Sequence, residues 1–426
     1  MKNKLLPGVI NLLMAPALSM ASDVIPDDSQ IDLTQWSLAW SDEFNYQNDQ
    51  LDKNWISQNG PTEHPLVLGS RWRENAVVED GVLHLINRKE SRGGQDWTSG
   101  NVWTKRSFGY GYFEARYKYA GAYGTNNSFW LWPKHGTKEG EKACEVDINE
   151  GHYPNIINTN VHNWTDTYTL PDGVVQHEQD QLHHTLDGEP EQRVILDKPV
   201  ITSKLRLVST NPASIHIREF EIFESNENAG EYSDGSGAFN LAKADDVTIS
   251  TSGNFYQLPS KKEFATDGRL DTRWVSNKHG EKWIQFDWDK SRTISALEFV
   301  NGWVQEFGAS EGLSRNLISD YKIQSWKNGE WQTIAEYDAA SVSNYADEYH
   351  TFGLAWDEDY FRFYQDGKLY YKMRNDVCFD ETSMLFSLAV LDMDIAGPVS
   401  DAIDGTSMKV DWVRYYTPKQ DVKNMK

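Results

Sequence analysis

The chain has 426 residues, of which 64 are acidic and 41 basic, so its formal net charge at pH 7 is −23. The length suits two domains better than one, and the excess of acid argues against a nucleic acid partner. A well-solvated surface accounts for that excess. Aromatic residues make up 13% of the chain, with 17 Trp, and such side chains serve as core or as stacking platforms for sugar rings.

The first 21 residues have the pattern of a signal peptide. Lys2 and Lys4 precede a mostly apolar stretch over residues 5–18, and small residues suited to cleavage end it at Ala21. Pro7 and Pro16 interrupt the stretch, and no later apolar run is long enough to cross a membrane. We therefore expect an exported protein, extracellular or periplasmic, that makes no membrane contact and is a monomer.

Strand alternation dominates the chain, and helical periodicity is almost absent. Residues 113–119 read FEARYKY, with apolar odd positions and charged even ones, which is typical of a half-buried strand. Residues 360–373 predict a hairpin around an Asp366-Gly367 turn. Many short strands separated by Gly-rich turns predict an all-β sandwich or barrel.

The middle of the chain contains a polar, Gly/Ser-rich stretch at residues 225–237 that has the composition of a flexible linker. Strands that suit one sandwich occur both before residue 180 and after residue 345, and this arrangement predicts an inserted domain. The only cysteines are Cys144 and Cys378. Two cysteines are compatible both with buried free thiols and with a disulfide, so both alternatives stay open.

A short acidic run, EVDINE at residues 145–150, is the main candidate for catalysis. Alternate strand residues share a face, so Glu145 and Asp147 point the same way. Glu150 would point the opposite way unless one extra residue, a β-bulge near Ile148 or Asn149, returned it to that face. Three crowded carboxyl groups cannot all ionise cheaply, so their pKa values should spread and provide both a nucleophile and an acid.

Three acids within six residues would also suit a solvated strand edge. The neighbours favour a catalytic strand instead, because Val146 and Ile148 fit a packed opposite face. Aromatic residues flank the run on both sides, in FWLW at residues 129–132 and at His162 and Trp164. We therefore predict a core strand whose acids face an aromatic-lined cleft.

The acidic run and its surroundings resemble glycoside hydrolase family 16, in the subgroup with the bulged signature E-x-D-x-x-E. The resemblance covers most of residues 36–180 and 345–417 and continues in order through several motifs: LAWSDEFN, ENAVVEDGVLHL, SGNVWTKRSFGYGYFEARYKY, NSFWLWP, HTFGLAWDEDYFRFYQDGKL, MLFSLAV and MKVDWVRYY. It implies a β-jelly-roll enzyme that retains anomeric configuration. Glu145 would be the nucleophile, Asp147 the residue that orients it and Glu150 the general acid/base, with no cofactor for catalysis.

The same resemblance implies a polysaccharide substrate that is cut internally, bound by Trp130, Trp132, His162 and Trp164. Sulfated galactans would need positive groups in the cleft, and the candidates are Arg71 and Arg73 beside Trp72, together with Arg88, Lys89 and Arg92 in one loop-rich stretch. We expect hydrolysis of β-1,4 linkages in a red-algal galactan of carrageenan or furcellaran type. The alternatives are a β-agarase or porphyranase, a β-1,3-glucanase (laminarinase), and a polysaccharide-binding protein that has lost catalysis.

Residues 238–338 resemble the first part of a discoidin-like (coagulation factor 5/8 type C) domain, as in family 32 carbohydrate-binding modules. Residues 194–224, which precede them, resemble the last part of that fold. The reversed order predicts a circularly permuted module inserted into the sandwich. The predicted bounds are 1–21 for the signal peptide, 22–180 and 341–420 for the catalytic domain, and 181–340 for the module.

Such modules often hold a structural Ca²⁺ near a DGxxDT turn, and oxygen ligands at a turn suit that ion. By resemblance, the candidate ligands are Asp267 and Thr272 together with Glu219 and Glu221. Arg269 stands where the family often has Asp or Asn, which departs from the pattern.

Overall fold

The computed structural model describes residues 30–136, 143–169, 175–185, 190–211, 214–224, 240–255, 260–277, 280–304 and 314–419. The predicted signal peptide and the predicted 225–237 linker lie outside these ranges. Among the described residues, none belongs to a helix with the length and hydrophobicity needed to cross a bilayer.

The described chain consists almost entirely of β-strands joined by turns. Up to residue 185 the strands are β1 (Trp36–Asp42), β2 (Trp55–Ser57), β3 (Gly69–Arg71), β4 (Ala76–Glu79), β5 (Val82–Ile86), β6 (Trp97–Ser99), β7 (Asn101–Thr104), β8 (Gly111–Lys118), β9 (Thr125–Trp132), β10 (Cys144–Gly151), β11 (Ile156–Thr169) and β12 (Val175–Thr185).

Fourteen further strands follow in the described part: β13 (Glu191–Ser209), β14 (His216–Phe223), β15 (Val247–Thr251), β16 (Trp274–Val275), β17 (Lys282–Asn301), β18 (Trp303–Val304), β19 (Ser314–Arg315), β20 (Asp320–Lys327), β21 (Glu330–Asp338), β22 (His350–Trp356), β23 (Tyr360–Gln365), β24 (Lys368–Arg374), β25 (Ser383–Val390) and β26 (Ser407–Pro418). The helices of the described residues are one α-helical turn, α1 (Ala339–Val342), and the 3₁₀ turns Leu33–Gln35, Asn48–Lys53, Arg73–Asn75, Leu241–Lys243, Lys262–Ala265, Asp394–Ala396 and Asp401–Ile403.

Two large antiparallel sheets form the first sandwich. One has the order β24-β23-β22-β8-β26-β5-β4, with β1 also paired to β26, and the other has the order β12-β11-β10-β9-β25-β7-β2. Both sheets take strands from before residue 186 and after residue 349, so the chain leaves this sandwich and returns to it. Strands that neighbour each other in space but lie far apart in sequence are typical of a jelly roll.

The core of this sandwich lies between the two sheets, because alternate residues of their strands point inward. In β8 the inward residues are Phe113, Ala115 and Tyr117, as the alternation predicts. They meet residues such as Phe129 and Phe386 of the opposite sheet, whose rings stack with centroids 4.9 Å apart. The predicted half-buried strand is confirmed.

The predicted hairpin is confirmed as well. Strands β23 and β24 pair antiparallel, and the two residues between them, Asp366 and Gly367, have φ angles of 48° and 76°. Positive φ at both central positions is the backbone that a two-residue hairpin turn requires, and Gly reaches it without steric cost.

Residues 191–338 form a third sheet with its own core. Its order is β16-β14-β17-β13-β20-β21, with β15 also on β17. The long strands β13 and β17 pair along both halves, with register shifts where they bend, so the sheet curves around a separate buried cluster. That cluster includes Leu207, Phe220, Phe286, Phe299 and Ile323. The fold class is therefore confirmed as an all-β jelly-roll sandwich that carries an inserted second β domain.

Both ends of this insertion lie beside the segment that follows β10. Thr185, the last residue of β12, pairs with Ile156, and the Tyr345 amide donates to the Pro154 carbonyl at 2.9 Å. The whole of β12 pairs with β11 in the first sandwich. The predicted boundary at residue 180 is therefore five residues too early, because strand pairing extends to Thr185.

A disulfide joins Cys144 to Cys378, with a sequence separation of 234 residues. Cys144 is the first residue of β10, and both cysteines are buried in the core of the first sandwich. The strand that carries the acidic run is therefore tied covalently to the chain that precedes β25.

Candidate active site

The acidic run lies on β10, in the middle of the sheet between β9 and β11. Register between β10 and β9 shifts by one residue, since Asp147 pairs with Trp130 and Asn149 with the adjacent Phe129. Ile148 is in the core, and Asn149 also points inward, where its amide donates to the Tyr117 hydroxyl at 2.8 Å. Two consecutive inward residues are what a bulge produces, so the predicted bulge is confirmed.

The bulge places Glu145, Asp147 and Glu150 on the same outer face of the sheet. Trp164 Nε1 donates to Glu145 Oε2 at 3.0 Å, and His162 Nε2 lies 3.3 Å from Asp147 Oδ2. The ligand-type atoms of Glu145, Asp147 and His162 all lie within 4.8 Å of one another. The sequence candidates for the acids, His162 and Trp164 are thus brought together in one cluster.

Glu150 is held by three amide side chains that the sequence analysis did not single out. Asn126 Nδ2 donates to Glu150 Oε1 at 2.8 Å, while Asn158 and Asn160 donate to Oε2 at 3.3 and 2.6 Å. Asn126 comes from β9 and the other two from β11, so donors from both neighbouring strands fix the carboxyl group. The sequence sign of these donors was the alternation of polar residues in INTN, residues 157–160, on the strand that pairs with the acidic run.

Burial and mutual repulsion perturb the titration of all three acids. Burial raises the pKa of Glu145 to about 8, and the neighbouring Asp147 charge adds to the increase. Burial, then the Glu150 charge, raises the pKa of Asp147 well above its ordinary value, and burial also raises the pKa of Glu150. The group therefore retains protons at neutral pH, and a carboxyl that retains its proton can act as a general acid.

Aromatic side chains continue this face on both sides of the acids. Trp130 donates from Nε1 to Ser387 Oγ at 3.0 Å, and Trp132 meets Trp164 edge to face, with ring centroids 6.5 Å apart. Trp164, which is 44% exposed, stacks on His162 at 5.7 Å. The face thus combines flat apolar surfaces with buried acids, as a carbohydrate cleft requires.

Arg71 and Arg73 lie in different environments, although they are two residues apart. The Arg73 guanidinium contacts Asp52 Oδ1 at 2.8 Å and the Asn48 carbonyl at 2.7 Å. It therefore fastens the 3₁₀ turn at residues 48–53, and its role in substrate binding stays a prediction. Arg71 differs, because its Nε is buried and donates to no described residue.

The predicted Ca²⁺ ligands contact neighbouring protein groups in this structure. Glu219 accepts from the Gly268 amide at 2.8 Å and pairs with Lys243 Nζ at 3.0 Å. Asp267 accepts from the Thr272 hydroxyl at 2.8 Å. Among the His, Cys, Asp and Glu side chains of the described ranges, only Glu145, Asp147 and His162 have metal-ligand spacing. Because Ca²⁺ also takes backbone carbonyl oxygens, the Ca²⁺ site stays a prediction.

Glu221 lies near this group and is buried, with Oε2 lacking a hydrogen-bond partner among the described residues. Burial, and then the Glu219 charge, raises the pKa of Glu221 to about 7. Lys243 counteracts part of this increase. Lys243 thus provides a positive charge beside Glu219 and Glu221.

Two family models match the chain. The model described as glycosyl hydrolases family 16 matches residues 68–190, which include the whole acidic run. The model described as F5/8 type C domain matches residues 246–375, so it begins after β13 and β14 and extends into β22–β24 of the first sandwich.

Among curated proteins, the chain is similar to a β-glucanase of Rhodothermus marinus, with 33% identity over 138 residues, which cover 30% of this chain and 48% of that protein. It is also similar to the κ-carrageenase of Pseudoalteromonas carrageenovora, with 31% identity over 164 residues, which cover 33% of this chain and 39% of that protein. The matched parts thus span about half or less of the length of these relatives.

Two solved structures show a more distant likeness. They are the laminarinase catalytic domain from Thermotoga maritima (14% identity, TM-score 0.46, 91% of this chain and 100% of that one) and an endo-β-1,3-glucanase from Pyrococcus furiosus (16% identity, TM-score 0.46, 92% of this chain and 97% of that one). The two family models thus match separate parts of the chain: the glycosyl hydrolases family 16 model matches residues 68–190, and the F5/8 type C model matches residues 246–375.

Proposed function

We propose that the protein is a retaining endo-β-glycosidase that hydrolyses a polysaccharide in the groove above β10. The observation that carries this proposal is the bulged strand, which presents Glu145, Asp147 and Glu150 side by side on one aromatic-lined face. A solvated strand edge would leave these acids exposed, whereas Asp147 is only 3% exposed and Glu145 and Glu150 are partly buried.

In this mechanism Glu145 attacks the anomeric carbon while Glu150 protonates the glycosidic oxygen that leaves. The product of the first step is a glycosyl ester of Glu145. Glu150, now ionised, removes a proton from water, which attacks the ester and releases the sugar with its original configuration. Glu145 attacks in its charged form, so the first step should speed up as pH rises towards the Glu145 pKa of about 8; the hydrogen bond from Trp164 opposes the increase in pKa that burial causes.

The remaining groups position the two reacting acids. Asp147 lies between Glu145 and Glu150 in the sequence and contacts His162. It therefore orients the two reacting acids, and its charge raises the pKa of Glu145. The amides of Asn126 and Asn160 hold the two oxygens of Glu150. A carboxyl group fixed through both oxygens loses little orientational freedom when it transfers a proton.

For the substrate, we propose a red-algal galactan of carrageenan or furcellaran type, cut at internal β-1,4 linkages. The similarity to a κ-carrageenase supports this class, and the unpaired Arg71 suits a sulfated sugar. The similarity to a β-glucanase supports the main rival, a β-1,3-glucanase. A β-agarase or porphyranase is the remaining alternative among enzymes.

A panel of polysaccharides tests the enzyme proposal and its substrate together. Purified protein is incubated with carrageenans, furcellaran, agarose, porphyran and laminarin, and new reducing ends are measured beside the Glu145→Gln variant. Reducing ends from a sulfated galactan, absent with the variant, are the expected result. Binding without any new reducing ends would instead identify a polysaccharide-binding protein.

Early proton NMR spectra of the products test the double displacement. A β-anomer at early times is expected, because retention follows from a covalent intermediate. An initial α-anomer would show a single displacement and would remove the nucleophile role of Glu145.

We further propose that the third sheet is a circularly permuted module that assists polysaccharide binding in an exported, monomeric protein. Supporting the permutation, β13 and β14 precede the segment matched by the F5/8 type C model, yet both pair with β17 inside it. A module beside the cleft would raise affinity for long substrates by adding a second contact on the same chain. Mass spectrometry of secreted protein, which reports the first residue, would test export.

A further inference from the structure

We infer that Arg71 and Lys134 form a subsite for a sulfate ester of the substrate, on the Glu145 side of the cleft. This inference rests on the proposed function and specifies which residues would select the substrate class. Lys134 was not among the residues that the sequence singled out.

Both residues lie on the side of the sheet where β25, β7 and β2 follow β9: Lys134 comes two residues after the end of β9, and Arg71 pairs with Gly60, three residues after the end of β2. The sheet order β10-β9-β25-β7 places Lys134, which follows the end of β9, and Trp103 of β7 on successive positions away from Glu145. Lys134 Nζ lies 4.6 Å from the centroid of the Trp103 ring. The pKa of Lys134 is lowered, chiefly by burial and then by the Arg71 charge, while Glu145 acts in the opposite direction. Both charges are therefore close enough to act on this ammonium.

Arg71 is the second positive group, and no carboxylate among the described residues pairs with it. Its Nε is buried and has no hydrogen-bond partner among the described residues, and burial lowers the pKa of its guanidinium to about 10. Several other arginines of the described chain are paired with acids, such as Arg73 with Asp52 and Arg414 with Glu43. Arg71 is half-buried, and a buried N–H without an acceptor is costly, so an anion that binds there restores the lost interaction.

The backbone at Arg71 is also fixed before any ligand arrives. Its amide donates to the Gly60 carbonyl at 2.8 Å, and the Gly60 amide donates to the Arg71 carbonyl at 2.9 Å. The main chain of Arg71 is thus fixed beforehand, so binding has to order only its side chain.

The chemistry of the pair matches a sulfate ester next to a sugar ring. The planar guanidinium can donate two parallel hydrogen bonds to two oxygens of a sulfate, and the Lys134 ammonium adds a point charge. The Trp103 ring offers a flat surface to the sugar that carries the sulfate. A neutral glucan would leave both charges unpaired, so the same residues disfavour the rival substrate.

Binding measurements test the subsite independently of catalysis. In the inactive Glu145→Gln background, calorimetry compares a sulfated galactan oligosaccharide with its chemically desulfated form, before and after Arg71→Met or Lys134→Met. We expect each substitution to weaken binding of the sulfated form by about tenfold to a hundredfold, since hydrogen bonds to charged groups are worth that much. Binding of the desulfated form should change by less than about threefold.

Two further variants separate the subsite from general charge and from folding. Arg374→Met is the control, because Arg374 is another cation but lies on β24 of the other sheet and is paired with Asp376 at 3.8 Å. It should bind both sugars as the parent does. Arg71→Lys keeps the charge without the planar fork and should recover part of the affinity, which a misfolded variant would not do.

Equal losses on the sulfated and desulfated sugars, or no loss on either, would overturn the subsite. The enzyme proposal would survive such a result if the unmodified chain still cleaved the galactan. If the chain cleaved only laminarin and bound no sulfated sugar, both the galactan assignment and the subsite would be wrong, while the glycosidase mechanism would stand.

Discussion

The substitution Glu145→Gln should abolish turnover and, at the same time, stabilise the fold at alkaline pH. Burial and the Asp147 charge raise the pKa of Glu145 from 4.5 to about 8. Since each pKa unit corresponds to about 1.4 kcal/mol, this difference limits the cost of ionising Glu145 in the fold to about 5 kcal/mol. The value is an upper limit because repulsion from the charges of Asp147 and Glu150, which also titrate, contributes to the increase in the Glu145 pKa.

The sign of the pH dependence follows from the raised pKa. A raised pKa in the folded state gives stability that is fully present below about pH 4.5 and is lost as pH rises through about 8. Gln does not titrate, so the variant avoids this loss. The gain in unfolding free energy should therefore be small at pH 5 and approach its limit above pH 8.

Urea denaturation of both proteins at pH 5 and pH 8.5, followed by Trp fluorescence, measures the difference. Glu348→Gln is the control, because Glu348 is exposed and its substitution should leave the unfolding free energy unchanged at both pH values. The reasoning would be refuted if Glu145→Gln altered stability equally at the two pH values, or if it kept more than a few per cent of the activity.

Three other predictions concern the partner acid, the disulfide and the insertion. Glu150→Ala should be nearly inactive on the best substrate, and added azide should restore part of the rate by attacking the glycosyl ester in place of activated water; no effect of azide would contradict the acid/base role. Replacing Cys144 and Cys378 together by Ala should lower the unfolding free energy by about 2–5 kcal/mol, and an unchanged denaturation midpoint would show that the bond contributes nothing. A short Gly/Ser bridge in place of residues 186–341 should leave a folded domain that cleaves short oligosaccharides, and an insoluble or unfolded product would show that the first sandwich depends on the module.

The catalytic strand could be predicted from the sequence because its pattern depends only on neighbouring residues of the chain. Val146 and Ile148 mark the packed face by simple alternation, and the bulge follows from the requirement that Glu150 share a face with Glu145. The amide donors around Glu150 could not be found in this way. Their approach depends on the register of β9 and β11, which the packing of the whole sandwich decides.

Arg71 and Arg73 show a second limit of sequence reasoning. Two residues apart, they would share a face of a continuous strand. However, β3 ends at Arg71 and a 3₁₀ turn begins at Arg73, so the two guanidinium groups diverge. In the module, Lys243 reaches Glu219 across 24 residues of chain, a contact that no local pattern indicates.

The junction of the inserted module also bears on how the chain folds. The pairing of β9 with β25 joins residues more than 250 positions apart, and closing a loop of that length costs conformational entropy that grows with the logarithm of its length. The module has its own core and returns the chain to residues 154–156, where it left. If the module folds first, it brings both halves of the host together and shortens the remaining loop by more than half. The folded module then keeps the two parts of the first sandwich close together. The rate at which the catalytic sheet forms therefore depends on the contacts within that sandwich.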